Sequence, residues 1–312
     1  MQTKVVKPIE KELVKAALLI KKGEIVAFPT ETVYGLGANA FDEKAVKKIF
    51  AAKGRPADNP LIVHISSIKQ LNGLVDFVPK EVQILADAFW PGPLTMVMKK
   101  SQKVPAIVTA GLDSVAIRLP SNKIALNLIK KSAVPIAAPS ANSSGRPSPT
   151  EAIHVKNDLN GKIKLIIDGG KCQIGLESTV LDITKKPFTI LRPGKVTKEE
   201  IEGVLHEKIK INIKKNPEKA SSPGMKYKHY SPKAKVILFS KKDFEKKVSE
   251  LKEEDIAVIF FNNDIESYAK EMFSLFRKYD AERYDVILVE KVAEKGLGLA
   301  LMNRLKKASS KK

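Results

Sequence analysis

The segment Gly23-Glu24-Ile25-Val26-Ala27-Phe28-Pro29-Thr30-Glu31-Thr32-Val33-Tyr34-Gly35-Leu36-Gly37 decides the fold class. Glu24 to Phe28 is a short apolar run stopped by Pro29, the pattern of a buried strand that delivers a loop. Before it, Leu13, Ala16, Ala17 and Ile20 recur at helical spacing between Glu10 and Lys22, and Gly23 stops that helix. After it, Asp42 caps a helix carrying Ala45, Val46, Ile49 and Phe50, which ends near Lys53-Gly54. This succession predicts an α/β chain. Further strands are predicted at 61–65, 94–98, 115–119, 135–138, 165–168, 179–183 and 189–192, with helices at 80–89, 123–131 and 198–206. Several strands lie too close together for helical crossovers, so the sheet is predicted to be mixed rather than purely parallel.

The pattern breaks between Lys214 and Lys233. Asn216-Pro217, Ser221-Ser222-Pro223-Gly224 and Ser231-Pro232 are turn and extended-chain signals without apolar periodicity. Apolar strands resume at 235–239, 256–261 and 286–289, alternating with helical stretches at 243–252, 265–278 and 292–307. The expected organisation is a first domain over 1–213, a linker over 214–233 and a smaller three-layer α/β domain over 234–312.

The 312 residues are long enough for two cores, and a net charge of +20 concentrates anions around the protein, making nucleotides and RNA plausible partners. A lysine-rich solvated surface has the same composition. No apolar stretch is long enough to span a bilayer, and no signal region opens the chain, so no membrane partner and a cytoplasmic location are expected. The lone Cys172 excludes an internal disulfide and a cysteine-rich zinc site.

Chemistry-bearing residues gather at strand ends. Gly35-x-Gly37-x-x-Ala40 superficially fits a dinucleotide fingerprint, but Thr30-Glu31-Thr32 displaces it from the strand, and no acidic residue closes a second strand about 20 positions on. The loop is either a tight turn or a hydroxyl-rich surface for a small polar ligand. Lys53-Gly54-Arg55-Pro56 supplies a point charge and a planar fork that can hold different oxygens of a polyphosphate, or cations that merely favour a helix C-terminus. Arg118 sits inside an apolar strand, so it faces a cleft with a carboxylate or phosphate, or forms a buried salt bridge. His64 also lies on a strand, where a lone histidine is commonly a core group. His64, His154, His206 and His229 are too scattered for a metal motif. The stretch from Ala138 to Thr150 is rich in hydroxyls and turn formers, suited to wrapping phosphate or to a surface loop. No Walker loop or nucleophile elbow is present, so chemistry here must come from positioning and charge.

Lys53-x-Arg55-Pro56, Ser140-x-Asn142 and the threonine-rich loop together resemble the signature of the YrdC/Sua5 family. The stretches from Ser222 to Pro232 and from Lys295 to Leu305 resemble the longer Sua5 form. The resemblance implies a YrdC-like twisted mixed sheet followed by a Rossmann-like domain. It implies synthesis of threonylcarbamoyl-AMP and pyrophosphate from L-threonine, bicarbonate and ATP with Mg2+, the product passing to a threonylcarbamoyl transferase complex that modifies tRNA position 37. Carried over residue by residue, Thr32, His64, Arg118, Ala138 through its backbone and Ser178 would hold threonine. Lys53, Arg55, Asn59, Ser114, Ser140, Asn142, Ser148 and Arg192 would hold ATP, with Lys53 and Arg55 stabilising the departing pyrophosphate and Tyr230 folding across the cleft mouth. Two other readings are a non-catalytic nucleic-acid-binding module, for which aromatics do not interleave with the basic runs, and a carbamoyl-transfer domain like that of hydrogenase maturation factors, whose cysteine-rich segments are missing.

Overall fold

The computed structural model describes residues 2–212 and 230–310. Its strands begin with β1 Lys4–Val6, β2 Val26–Phe28, β3 Gly35–Asn39, β4 Ile62–His64, β5 Leu94–Lys99, β6 Ser114–Arg118 and β7 Ile136–Ala137. There follow β8 Leu165–Ile167, β9 Thr179–Asp182, β10 Thr189–Arg192, β11 Lys210–Ile211, β12 Lys235–Phe239, β13 Ile256–Ile259 and β14 Val286–Glu290. One 11-stranded sheet runs β1-β8-β2-β3-β7-β4-β6-β5-β9-β10-β11. Parallel pairs such as β4–β6 and β5–β9 alternate with antiparallel pairs such as β2–β3, β5–β6 and β9–β10. The sheet is mixed, as the short connections require.

Helix Glu10–Lys21 and helix Lys123–Ser132 pack on one face over Val26, Phe28, Ile136 and Ile167. The opposite face carries a larger core with Ala27, Leu36, Val63 and Ile117, covered in part by helix Glu43–Lys53. That helix starts where Asp42 accepts from the backbone N–H groups of Lys44 and Ala45, and it stops at Gly54 in the left-handed region.

The main departure from the sequence reading is β3. Gly35–Asn39 is not a turn but a strand between β2 and β7. A Cβ at Gly37 would lie 2.5 Å from a methyl of Ile136 and 2.7 Å from the ring of Phe28, so glycine is there to let two neighbouring side chains cross the strand. The short helices Ala106–Thr109 and Ala152–Leu159 and the edge strands β1 and β11 carry too little periodicity to be seen in the sequence.

Beyond residue 230 the strands are parallel in the order β12-β14-β13. Val236, Ala257 and Ile287 face helices Ile265–Ala281 and Leu297–Ala308, while Phe239, Val286 and Leu288 face Phe244 and Val248. This is the expected three-layer order. Its core takes in Leu176 from the preceding part of the chain. At Gly175 a Cβ would lie 2.5 Å from the Lys270 carbonyl oxygen, so the backbone there rests directly on helix Ile265–Ala281. The expected linker lies outside the described residues except for residues 230–233.

Candidate active site

Side chains alternate along a strand, so with Val63 and Ile117 in the main core, Ile62, His64, Ala116 and Arg118 project from the other face. The parallel register sets Ile62 beside Ala116 and His64 beside Arg118. Ile62, Val97, Ala116, Val180 and Leu191 form a small apolar cluster. Ile62 of this cluster also lines a pocket that takes in Thr32, His64, Arg118, Ser140 and Arg192.

The loop after β2 builds one wall. Thr30 donates to the Val33 carbonyl at 2.6 Å and accepts from the backbone N–H groups of Thr32 and Val33, which fixes the turn. Arg118 then donates to Thr32 Oγ1 at 2.9 Å, to Glu31 Oε1 at 2.5 Å and to the Gly92 carbonyl at 3.2 Å. Both readings of Arg118 hold: it lines the pocket and forms a buried ion pair. Burial pushes the Glu31 carboxyl up, but the charge and hydrogen bonds of Arg118 more than offset this and hold it below the usual range. Glu31 Oε2 has no hydrogen-bond partner among the described residues.

Burial, and then the charge of Arg118, pull the His64 imidazole down to about 3, so it is neutral at pH 7. Its Nδ1 is buried and has no hydrogen-bond partner among the described residues. Between the ordinary value of 6.5 and about 3 the unfolded chain binds a proton that the folded chain refuses. Stability therefore falls as pH drops through this window, by up to about 5 kcal/mol. The urea midpoint is expected to fall less between pH 7 and pH 4 in His64→Gln than in the parent; equal losses would remove His64 as the cause.

The opposite wall is the 138–148 loop. Ser140 donates to Asn142 Oδ1 at 2.5 Å, and Asn142 Nδ2 holds the carbonyls of Ser143 and Arg146. Lys53, 3% exposed, gives its ammonium to the carbonyls of Ser140 and Asn142. Burial and the neighbouring Arg55 lower its pKa well below the ordinary lysine value. Arg55 donates to the carbonyls of Asn59 and Pro60 at 3.3 and 3.1 Å. Ser148 donates to Glu177 Oε1, Thr95 bonds Ser178 Oγ at 2.8 Å, and Arg192 holds the Ser178 carbonyl at 3.0–3.1 Å. Gly194 permits this closeness, since a Cβ would lie 2.3 Å from the Thr179 amide nitrogen.

Thr32, Arg55, His64, Arg118, Ala138 and Ser140 all line the pocket, as do Asn142, Ser148, Ser178, Arg192 and Tyr230. Three residues expected there do not. Lys53 is turned onto the two loop carbonyls behind the wall. Asn59 is buried, with neither side-chain amide atom partnered among the described residues. Ser114 begins β6, about 13 Å along the strand from Arg118. The sequence reading did not single out Glu31, Tyr34, Arg146 and Glu177. A lone arginine in an apolar strand calls for a carboxylate, which could have pointed to Glu31.

Arg55, Arg118, Arg146 and Arg192 surround the cavity, with Glu177 as the acidic residue among its described lining. Fold and site thus define an α/β protein with an open pocket lined by four arginines and several hydroxyls, chemistry suited to a polyanion beside a small polar ligand. A family model for Sua5, YciO and YrdC, described as telomere recombination, matches residues 18–194, and one described as threonylcarbamoyl-AMP synthase, C-terminal domain, matches residues 196–310. The chain belongs to this Sua5/YciO/YrdC family. It is 52% identical to the threonylcarbamoyl-AMP synthase of Pyrococcus abyssi (strain GE5 / Orsay), over 94% of this chain and 93% of that one. It is 44% identical to the enzyme of the same name from Bacillus subtilis (strain 168), over 96% and 93%. The crystal structure of P. abyssi Sua5 complexed with L-threonine superposes with a TM-score of 0.95 at 49% identity, covering 98% of both chains.

Proposed function

We infer that this chain is a threonylcarbamoyl-AMP synthase, an enzyme of tRNA modification that joins L-threonine, bicarbonate and ATP. The observation that carries this is the convergence of Thr32, His64, Arg118 and Ser178 with Arg55, Asn142, Ser148 and Arg192 around one pocket. Arg118, the neutral His64 and the Thr32 hydroxyl receive threonine. The arginines and the hydroxyl loop receive the triphosphate, and Tyr230 borders both.

The threonine nitrogen takes up bicarbonate with loss of water. The carbamate oxygen attacks the α-phosphorus of ATP, and pyrophosphate leaves. The titratable groups of the pocket are displaced from neutrality: His64 to about 3, Glu177 downward, Tyr230 upward. Catalysis therefore rests on positioning and on charge that stabilises the leaving pyrophosphate, and exclusion of water protects the labile carbamate. Arg55 contacts the phosphates, whereas Lys53 acts through the loop carbonyls it holds.

Among the described residues no three His, Cys, Asp or Glu side chains group as metal ligands. Magnesium enters on the nucleotide phosphates as part of the substrate, and no side chain is assigned to it. No helix of the described residues is long and apolar enough to cross a membrane. The +20 charge supports contact with RNA, and a cytoplasmic location and delivery to a separate transferase complete the proposal.

Incubating the pure chain with ATP, L-threonine, bicarbonate and magnesium is expected to yield threonylcarbamoyl-AMP by mass, and omitting bicarbonate to abolish it. ATP cleavage indifferent to threonine would overturn the assignment.

A further inference from the structure

We propose that Arg304, on the last helix of the chain, is a positioning residue for the nucleotide: it neutralises Glu177, so that a carboxylate can stand in a pocket built for a polyanion. Arg304 is fully buried, and it does not line the pocket. Its Nε donates to Glu177 Oε2 at 3.1 Å and its Nη1 to the Pro193 carbonyl at 2.6 Å. The guanidinium lies 5.6 Å from the ring centroid of Tyr230. The other oxygen of Glu177 receives the Ser148 hydroxyl, and Ser148 and Glu177 both line the pocket.

The chain Arg304–Glu177–Ser148 thus runs from the second α/β unit into the wall assigned to ATP. Glu177 remains ionised because the charges of Arg304 and Arg192 overcome the burial that would protonate it. Without Arg304, a carboxylate compensated only in part, by Arg192, would face the triphosphate and repel it. Ser148 would at the same time lose the fixed acceptor that aims its hydroxyl. The second unit grips the same loop at another point, where Arg277 donates to the Pro147 carbonyl and to Asp158. It therefore completes the nucleotide wall rather than merely following it.

This inference rests on the assignment of that wall to ATP. The test uses the full chain, steady-state kinetics with ATP varied, and calorimetry of L-threonine binding. Arg304→Gln is expected to raise KM for ATP by about tenfold or more while leaving the Kd for L-threonine within about twofold. Arg304→Lys, which keeps the charge, should recover most of that loss. Arg304→Gln combined with Glu177→Gln, which removes both charges, should bring KM for ATP back to within about threefold of the parent, because the two residues act on each other. Should the single Gln variant not fold, the Lys and double variants carry the same comparison. ATP and threonine constants that move together, or a double variant as impaired as Arg304→Gln, would overturn the inference. A parent chain that makes no threonylcarbamoyl-AMP overturns the proposed function and this inference together. An active parent with unmoved variants overturns this inference alone.

Discussion

Replacing Arg118 by methionine is expected to weaken L-threonine binding by about 100-fold and to destabilise the chain by about 3–5 kcal/mol at pH 7. Arg118 and Glu31 have side chains 4% and 2% exposed, and removing the guanidinium leaves a carboxylate buried without its counter-charge. Burial raises the pKa of Glu31, and the charge and hydrogen bond of Arg118 are the largest of the effects that reverse it. In the variant, the folded-state pKa of Glu31 therefore moves above its unfolded value. The penalty is full at neutral pH and fades as pH falls and the carboxyl takes a proton. Urea denaturation should show the gap between parent and Arg118→Met narrowing from pH 7 to pH 4. Adding Glu31→Leu should restore much of the stability, since an apolar pair of similar volume replaces an ion pair at little cost, yet threonine binding should stay lost. Intact threonine binding in Arg118→Met would detach Arg118 from the substrate.

The second large effect concerns Arg55. Arg55→Lys keeps the charge but discards the planar fork that lies against the Asn59 and Pro60 carbonyls and the pocket, and product formation at limiting ATP is expected to fall about 100-fold. Lys53→Met tests the neighbouring cation in a different role. The ammonium of Lys53 holds two carbonyls of the 140–142 loop, so its loss should appear as a raised KM for ATP. Melting temperature should change little, because the cost of burying that charge offsets much of what its hydrogen bonds return. Pyrophosphate release close to parental values in Arg55→Lys would remove Arg55 from the phosphate site.

Much of the first α/β unit is legible because its signals are local. The cap at Asp42, the stop at Gly54 and the apolar spacing of helix Glu43–Lys53 depend on residues within a turn or two of one another. The same is true of helix Lys80–Phe89, which follows the predicted bounds. β3 was misread because glycine carries no side chain with a period. Its place in the sheet depends on Phe28 and Ile136, which meet Gly37 only after folding.

For the site, residue type was legible and direction was not. Sequence alone identified the cations and hydroxyls at strand ends, because a charged or hydroxyl group interrupting apolar strands needs a partner there. It could not tell that Arg55 faces the cavity while Lys53, two residues away, turns to the loop carbonyls, since that depends on how a helix end is rotated against a distant loop. Nor could it join Arg304 to Glu177, 127 positions apart, or Arg118 to Glu31, 87 apart. Apolar period and backbone caps are properties of neighbouring residues, whereas the compensation of a buried charge belongs to whichever group the fold brings beside it. The sequence by itself thus determined the α/β layering and most of the hydroxyls and cations of the pocket, and only the tertiary structure brought in Arg146 and Glu177 and decided which charges line the cavity and which hold one another.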